Sequence, residues 1–247
     1  MANVKRTYGD SCGIARALDI VGERWALLVV RELVHGPKRF TDLRTGLPRV
    51  GPDMLAARLR ELEEAGVVRR GALPPPAASK VYELTDWGAE LAPVLVALGR
   101  WGSRAPMPDQ SPPLGIDAAI VALETTFDPE AAGWVDAVYE LTLADQVFRL
   151  EIAAGRLEVV RGHAPAGVTP VASIETDTAT LAAVVWHGHP LARAVAEGAL
   201  RIQGDREAAT DFVGLFAPPV PVGGDQGGRG AAGRDAGGDP TARRRAG

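Results

Sequence analysis

The stretch GPDMLAARLRELEEAGVVRR, residues 51–70, restricts the fold more than any other part of this 247-residue chain. Leu55, Leu59 and Leu62 recur at i, i+4 and i+7, so they mark one buried stripe of a helix. Gly51 suits the N-cap, Pro52 the first helical position and Gly66 the stop. At about 100° per residue, Asp53, Ala57 and Arg60 turn away from that stripe, with Ala56 nearby. The outward face is narrow and rich in small side chains. Such a face enters a groove or is merely solvated, and its neighbours must decide.

Upstream, Ser11 can cap a helix from Cys12 to Val21 with Ile14, Leu18 and Val21 on one side. ERWALLVVRELV (23–34) is helical in spacing and stops at Gly36-Pro37. FTDLRTGL (40–47) reads as a short helix and Leu47–Gly51 as a turn. Downstream, VVRRGAL (67–73) and KVYELT (80–85) are β-type runs split by PPPAAS (74–79). Thr85 can cap a final helix, DWGAELAPVLVALGRWGS, which carries Pro93 inside it. This order is a helix-turn-helix with a β-hairpin appended, a winged helix. It answers the question about residues 51–64: the helix lies in the major groove with its N-terminal residues toward base edges. Arg39, Arg44 and Arg49 flank it as phosphate contacts, and Arg69, Arg70 and Lys80 sit at the base of the wing.

Charge divides the chain in a way that fits. Residues 1–105 hold 16 Lys+Arg against 12 Asp+Glu, a balance of +4; the remainder holds 11 against 19, a balance of −8. A basic half joined to an acidic half suggests a nucleic-acid module carrying a second module with another task. No apolar run approaches the roughly 20 residues of a membrane helix, and the start lacks an apolar signal-peptide core, so a cytoplasmic protein without membrane contact is expected. A single cysteine, Cys12, allows no internal disulfide. The expected organisation is a DNA-binding domain over 1–105, a Pro-rich linker over 106–115, a second domain over 116–217 and a disordered Gly/Pro/Ala-rich tail over 218–247.

CGIARALDIVGERWALLVVRELVHGPKRFTDL, then MLAARLRELEEAGVVRR, then VYELTDWGAELAPVLVALGRWG closely resembles the HxlR family of bacterial transcriptional regulators over about residues 8–103. The resemblance implies a winged-helix dimer built through the first and last helices of the domain. Two recognition helices would then read an inverted-repeat operator in double-stranded DNA to repress, and sometimes activate, nearby genes. Two positions depart from the pattern. Gly51 stands where the family often has Ser, and the wing tip Pro74-Pro75-Pro76 carries no cation, which leaves Ser79, Lys80 and the strand for wing contacts.

Pro52, Asp53, Ala56, Ala57 and Arg60 are the candidate recognition residues. Asp53 suits either a cytosine amino group or the helix start itself. Arg60 suits base reading or pairing with Glu64, and Arg58 a structural ion pair or a base. Trp25, Trp87 and Trp101 read as core or interface aromatics. Cys12 opens the first helix. Cysteines at helix N-termini gain thiolate character, and some regulators resembling this chain sense electrophiles or oxidants there; the alternative is a small half-buried packing residue.

In the second module FRLEI and RLEVV alternate as two strands meeting at Ala154-Gly155. Val171–Glu175 is a third strand. A helix capped by Thr176 or Asp177 follows, then a short helix, the strand ALRIQG and a closing helix. The segment TLAAVVWHGHPLARAVAEGALRIQGDREAATDFVGLF resembles the end of sterol-carrier-protein (SCP2)-like domains. The whole is then an α+β protein: a winged helix followed by an SCP2-like α/β domain and a tail. That resemblance implies a sheet with helices over one face and an apolar tunnel. Leu181, Val185, Trp186, Leu191, Phe212 and Phe216 would line the tunnel, or would fill an ordinary core. An apolar small molecule bound there would bias the DNA-binding dimer.

His187 and His189 lack further ligands nearby in sequence, so neither a metal nor a cofactor is expected. With no phosphate loop or nucleophile elbow, the expected protein is not an enzyme. A lipid or small-molecule carrier that uses its winged helix only for pairing is the competing class.

Overall fold

Leu47 and Val50 are buried and anchor the turn between two helices, α3 (Phe40–Gly46) and α4 (Pro52–Glu64). The Val50 amide donates to the Leu47 carbonyl at 3.0 Å, closing the turn. The computed structural model describes residues 7–73, 79–106, 112–217 and 220–222. Before this pair come α1 (Gly13–Val21) and α2 (Ala26–Leu33). After it come the antiparallel strands β1 (Val68–Ala72) and β2 (Lys80–Leu84). The expected stripe is buried: Leu55, Leu59 and Leu62 join Val29, Val30, Leu33 and Leu43 in one core. Lys38 extends the wing, with amide and carbonyl both bonded to Tyr82 at 2.9 and 2.8 Å.

Two expectations about helix ends change. The expected last helix is two helices, α5 (Asp86–Ala89) and α6 (Leu91–Gly102). Pro93 explains the break: its ring excludes a helical carbonyl four residues back, at Ala89. In the first turn of α6 its missing N–H costs nothing. Ser11 does not cap α1. The N-cap is Cys12, whose amide donates to Asp10 Oδ1 at 2.9 Å. Thr85 caps α5 as expected, accepting from the Gly88 amide at 3.0 Å. Gly88 has to be glycine, because a Cβ there would lie 2.1 Å from the Val67 carbonyl oxygen.

The second unit begins with α7 (Ile116–Thr126). β3 (Ala137–Leu143), β4 (Gln146–Ala153), β5 (Arg156–Arg161) and β6 (Ala172–Thr176) follow. Then come α8 (Thr178–Trp186), α9 (Leu191–Ala196), β7 (Leu200–Gly204) and α10 (Arg206–Gly214). The strands form one sheet in the order β5-β4-β3-β6-β7, parallel only between β3 and β6. Ala154 and Gly155 both take positive φ, 50° and 69°, and so turn β4 into β5 at the expected position. Alternate residues Tyr139, Leu141, Leu143, Phe148, Leu150, Ile152 and Ile174 share a core with α7, α8 and α10. The opposite face carries Glu140, Arg149, Glu151, Glu175 and Arg201, so the helices cover one side only.

The two units meet where α7 lies against α2 and α6. The seam is ionic. Lys38 Nζ reaches Glu32 Oε2 at 2.8 Å and also bonds Asp117. Asp117 bonds Arg161 as well, and Arg161 also bonds Gln146, donates to the His35 carbonyl at 3.3 Å, and lies 4.6 Å above the Phe148 ring. The His35 ring meets Phe148 edge-on, and its Nε2 lies 3.2 Å from Glu124.

Parts of the expected linker and tail, residues 107–111, 218–219 and 223–247, lie outside the described residues. Residues 220–222 of the expected tail are tied back to the end of α6. Arg104 Nε donates to the Val220 carbonyl at 3.3 Å, and the Val222 amide donates to the Arg104 carbonyl at 2.9 Å.

Candidate nucleic-acid interface

α4 offers its first turn to solvent. Gly51 is the N-cap, Pro52 and Asp53 are exposed, and no side chain caps the helix, so its leading amides stay open to an acceptor. Ala56 and Ala57 are half-buried, and Arg60 is exposed. A helix start with free amides, small residues and one long cation suits close approach to a groove.

The surrounding cations fall into two groups. Among the described residues, Arg39, Arg44, Arg49, Arg60 and Lys80 have no carboxylate within ion-pair distance. Arg60 therefore does not pair with Glu64. Arg39 is the N-cap of α3 and its amide donates to Asp42 Oδ2 at 3.1 Å, which fixes the backbone and leaves the guanidinium outside. The others are partnered. Arg69 Nε lies 2.9 Å from Glu83 Oε1, and Arg70 lies 3.1 Å from Glu63 and over Tyr82. Arg58 is held by Glu61 at 2.6 Å with its side chain 11% exposed, so it takes the structural role. Ser79 is half-buried at the foot of the wing, where its carbonyl accepts from the Leu73 amide at 2.9 Å. The wing tip, Pro74–Pro76, lies outside the described residues.

A second feature is the set of apolar residues that α1 and α6 each leave exposed among the described residues. Ile14 is 73% exposed and Trp101 76%, and Leu18, Val94 and Leu98 are exposed as well. Helical spacing placed Ile14, Leu18 and Val21 on one side of the helix; Val21 is buried, while Ile14 and Leu18 face outward. Trp87 and Trp101 are likewise not core residues, while Trp25 is half-buried. Exposed apolar residues clustered on a helix in this way suit association with another molecule. Cys12 is exposed at the head of the same helix α1, not half-buried.

In the second unit, Leu181, Val185, Phe212 and Phe216 are buried, and Trp186 and Leu191 pack against them. The Phe212 ring lies 4.9 Å from Tyr139 and 5.0 Å from Phe216. Trp186 Nε1 donates to Thr126 Oγ1 at 2.9 Å. Burial pushes the Tyr139 phenol above its ordinary range, and the nearby Asp211 and Asp205 add to the effect. A cleft of about 400 Å³ opens where the ends of α6 and α7 meet, lined by Arg100, Arg104, Thr125 and Phe127 among others. None of the six expected lining residues borders it.

The seam residues Glu32, His35, Lys38, Asp117 and Arg161 were not singled out from sequence. Each has an ordinary local reading, and the partners lie far apart along the chain.

Residues 20–110 match the HxlR-like helix-turn-helix family, and residues 119–217 match the SCP-2 sterol transfer family. The chain is 39% identical over 88 residues to YvaP of Bacillus subtilis (strain 168), an uncharacterized HTH-type transcriptional regulator. That match covers 36% of this chain and 82% of YvaP. It is 35% identical over 88 residues to the HTH-type transcriptional regulator YodB of the same organism, covering 36% of this chain and 79% of YodB. The solved structure of the reduced form of YodB is 32% identical, covers 41% of this chain and 100% of that chain, and has a TM-score of 0.35.

Proposed function

We propose that this chain, which belongs to the HxlR-like helix-turn-helix transcriptional regulators and carries an SCP-2-type domain behind that unit, works as a homodimer on an inverted-repeat operator. Its second domain, over 116–217, takes an apolar small molecule that biases DNA binding. The observation that carries the DNA reading is the uncapped, exposed start of α4 with Arg39, Arg44, Arg49, Arg60 and Lys80 unpaired around it. Pro52, Asp53, Ala56, Ala57 and Arg60 face the base edges; Arg39, Arg44, Arg49, Arg69, Ser79 and Lys80 face phosphates. The bare face of α1 and α6 supports pairing with a second copy, and pairing sets two α4 helices on successive major grooves. The match of residues 119–217 to the SCP-2 sterol transfer family supports an apolar ligand, with Leu181, Val185, Trp186, Leu191, Phe212 and Phe216 as the candidate contacts.

Footprinting on the DNA upstream of its own gene tests this. A protected inverted repeat is expected, with affinity falling steeply as salt rises. A carrier that pairs through its winged helix would protect nothing. A second reading rests on Cys12: an exposed thiol at the head of a pairing helix suits a regulator whose DNA affinity responds to electrophiles or oxidants.

A further inference from the structure

We propose that Asp117 and Arg161 of the second domain are positioning residues for the DNA-reading unit, acting through Lys38. This deepens the regulator reading and rests on it. Lys38 stands where three parts of the DNA-reading unit meet. Its backbone is bonded in both directions to Tyr82 of β2, its ammonium reaches Glu32 of α2, and the next residue, Arg39, is the N-cap of α3. A shift at Lys38 therefore moves the wing and the first helix of the helix-turn-helix together.

The second domain holds that ammonium. Asp117 is the second residue of α7, its side chain is 3% exposed, and it bonds both Lys38 and Arg161. Arg161 ends the edge strand β5 and is itself fixed by Gln146, the His35 carbonyl and the Phe148 ring. With Arg31 on Glu32 at 2.7 Å, the groups alternate in sign from Arg31 through Glu32, Lys38 and Asp117 to Arg161. Buried charges in such a chain have few alternative partners, so each fixes the next. On its other side α7 packs against α8, which carries Leu181 and Val185. A change in packing around α8 thus reaches Asp117 through one helix, and Lys38 through one ion pair.

The test uses the full chain with Asp117→Asn and, separately, Arg161→Met, which keeps an aliphatic stem over Phe148. Hydrogen exchange is read at the Lys38 and Tyr82 amides. Either substitution should speed exchange there by about tenfold or more, while the amides of α1 keep their wild-type rates. Affinity for a duplex of the DNA upstream of the chain's own gene should fall by about fivefold or more. The salt slope of binding should stay unchanged, because no phosphate-contacting cation is removed. Acceleration confined to α7 and β5, with Lys38 and Tyr82 unmoved, would overturn the proposal and leave the cluster as mere glue between domains. So would an unchanged affinity alongside a loosened Lys38. Should Asp117→Asn not fold, Arg161→Met carries the same readouts. The exchange measurement involves no DNA, so a wild-type chain that binds no duplex would defeat the regulator reading without touching this result.

Discussion

Lys38 and Asp117 form a buried ion pair although 79 positions separate them in the chain. The pair joins the loop before the helix-turn-helix to the first turn of the helix that opens the second domain. Replacing Lys38 by Met would remove the cation shared by Glu32 and Asp117, whose side chains are only 1% and 3% exposed, and leave each, among the described residues, with a single arginine, Arg31 and Arg161. Lys38→Met should cost about 3–5 kcal/mol in urea unfolding, the usual cost of leaving one half of a buried pair. Adding Asp117→Leu should deepen the loss, because Arg161 then has no carboxylate among the described residues. A loss under about 1 kcal/mol would mean that water reaches the seam.

Arg60 and Arg44 should behave differently on DNA. If Arg60 reads a base, Arg60→Ala relaxes preference at one operator position and costs about 1–3 kcal/mol there. Arg44→Ala should weaken binding evenly across sequences and lower the salt slope by about 1. Identical behaviour of the two variants in a binding-site selection would remove Arg60 from the base edges.

The exposed faces of α1 and α6 predict assembly. Leu18→Asp or Trp101→Asp should yield monomers in light scattering and abolish cooperative binding to a two-site duplex, with little change in monomer helix content. Dimers that survive both substitutions would place the interface elsewhere.

Asp177 caps α8 by accepting from the Ala179 and Thr180 amides, each at 2.8 Å. The Thr180 amide, helped by the other hydrogen bonds to this carboxyl, holds it below the ordinary carboxylate value despite some desolvation. Asp177→Ala should therefore cost about 1 kcal/mol at neutral pH. A lowered folded-state value means that the folded protein binds fewer protons than the unfolded chain. The cap's contribution is thus complete above about pH 4 and drains away as pH falls through the folded-state value. The stability gap between wild type and variant, followed by thermal unfolding, should narrow below about pH 4.

Cys12 is exposed, so iodoacetamide should alkylate it in the folded chain. For the thiol-responsive reading, the alkylated protein must also lose duplex affinity, and Cys12→Ser must keep affinity while ignoring the reagent. Alkylation without effect on DNA would leave Cys12 a bystander.

The winged helix was legible because its signals are local. Leucine spacing, Gly36-Pro37, Thr85 and Gly66 each act within a turn or two, and each stands where expected. The misreadings are local too, settled by a competitor a residue or so away: Asp10 serves the start of α1 instead of Ser11, and Pro93 divides the last helix. Periodicity left Trp87 and Trp101 as either core or interface, because it records which side of a helix is apolar and says nothing about which molecule covers it. Strand β3 and helix α7 were not resolved from the sequence, and the seam was out of reach. Nothing near Asp117 distinguishes a carboxylate that favours its own helix start from one that grips a lysine in another domain.

Arg104 receives the chain twice. The polypeptide leaves the DNA-reading unit just beyond it, builds the second domain, and comes back to bond the same residue through Val220 and Val222. A segment whose two ends meet at one point is a cassette. Another folded body with adjacent termini fits the same place without re-routing the remaining chain, provided that it supplies a carboxylate for Lys38.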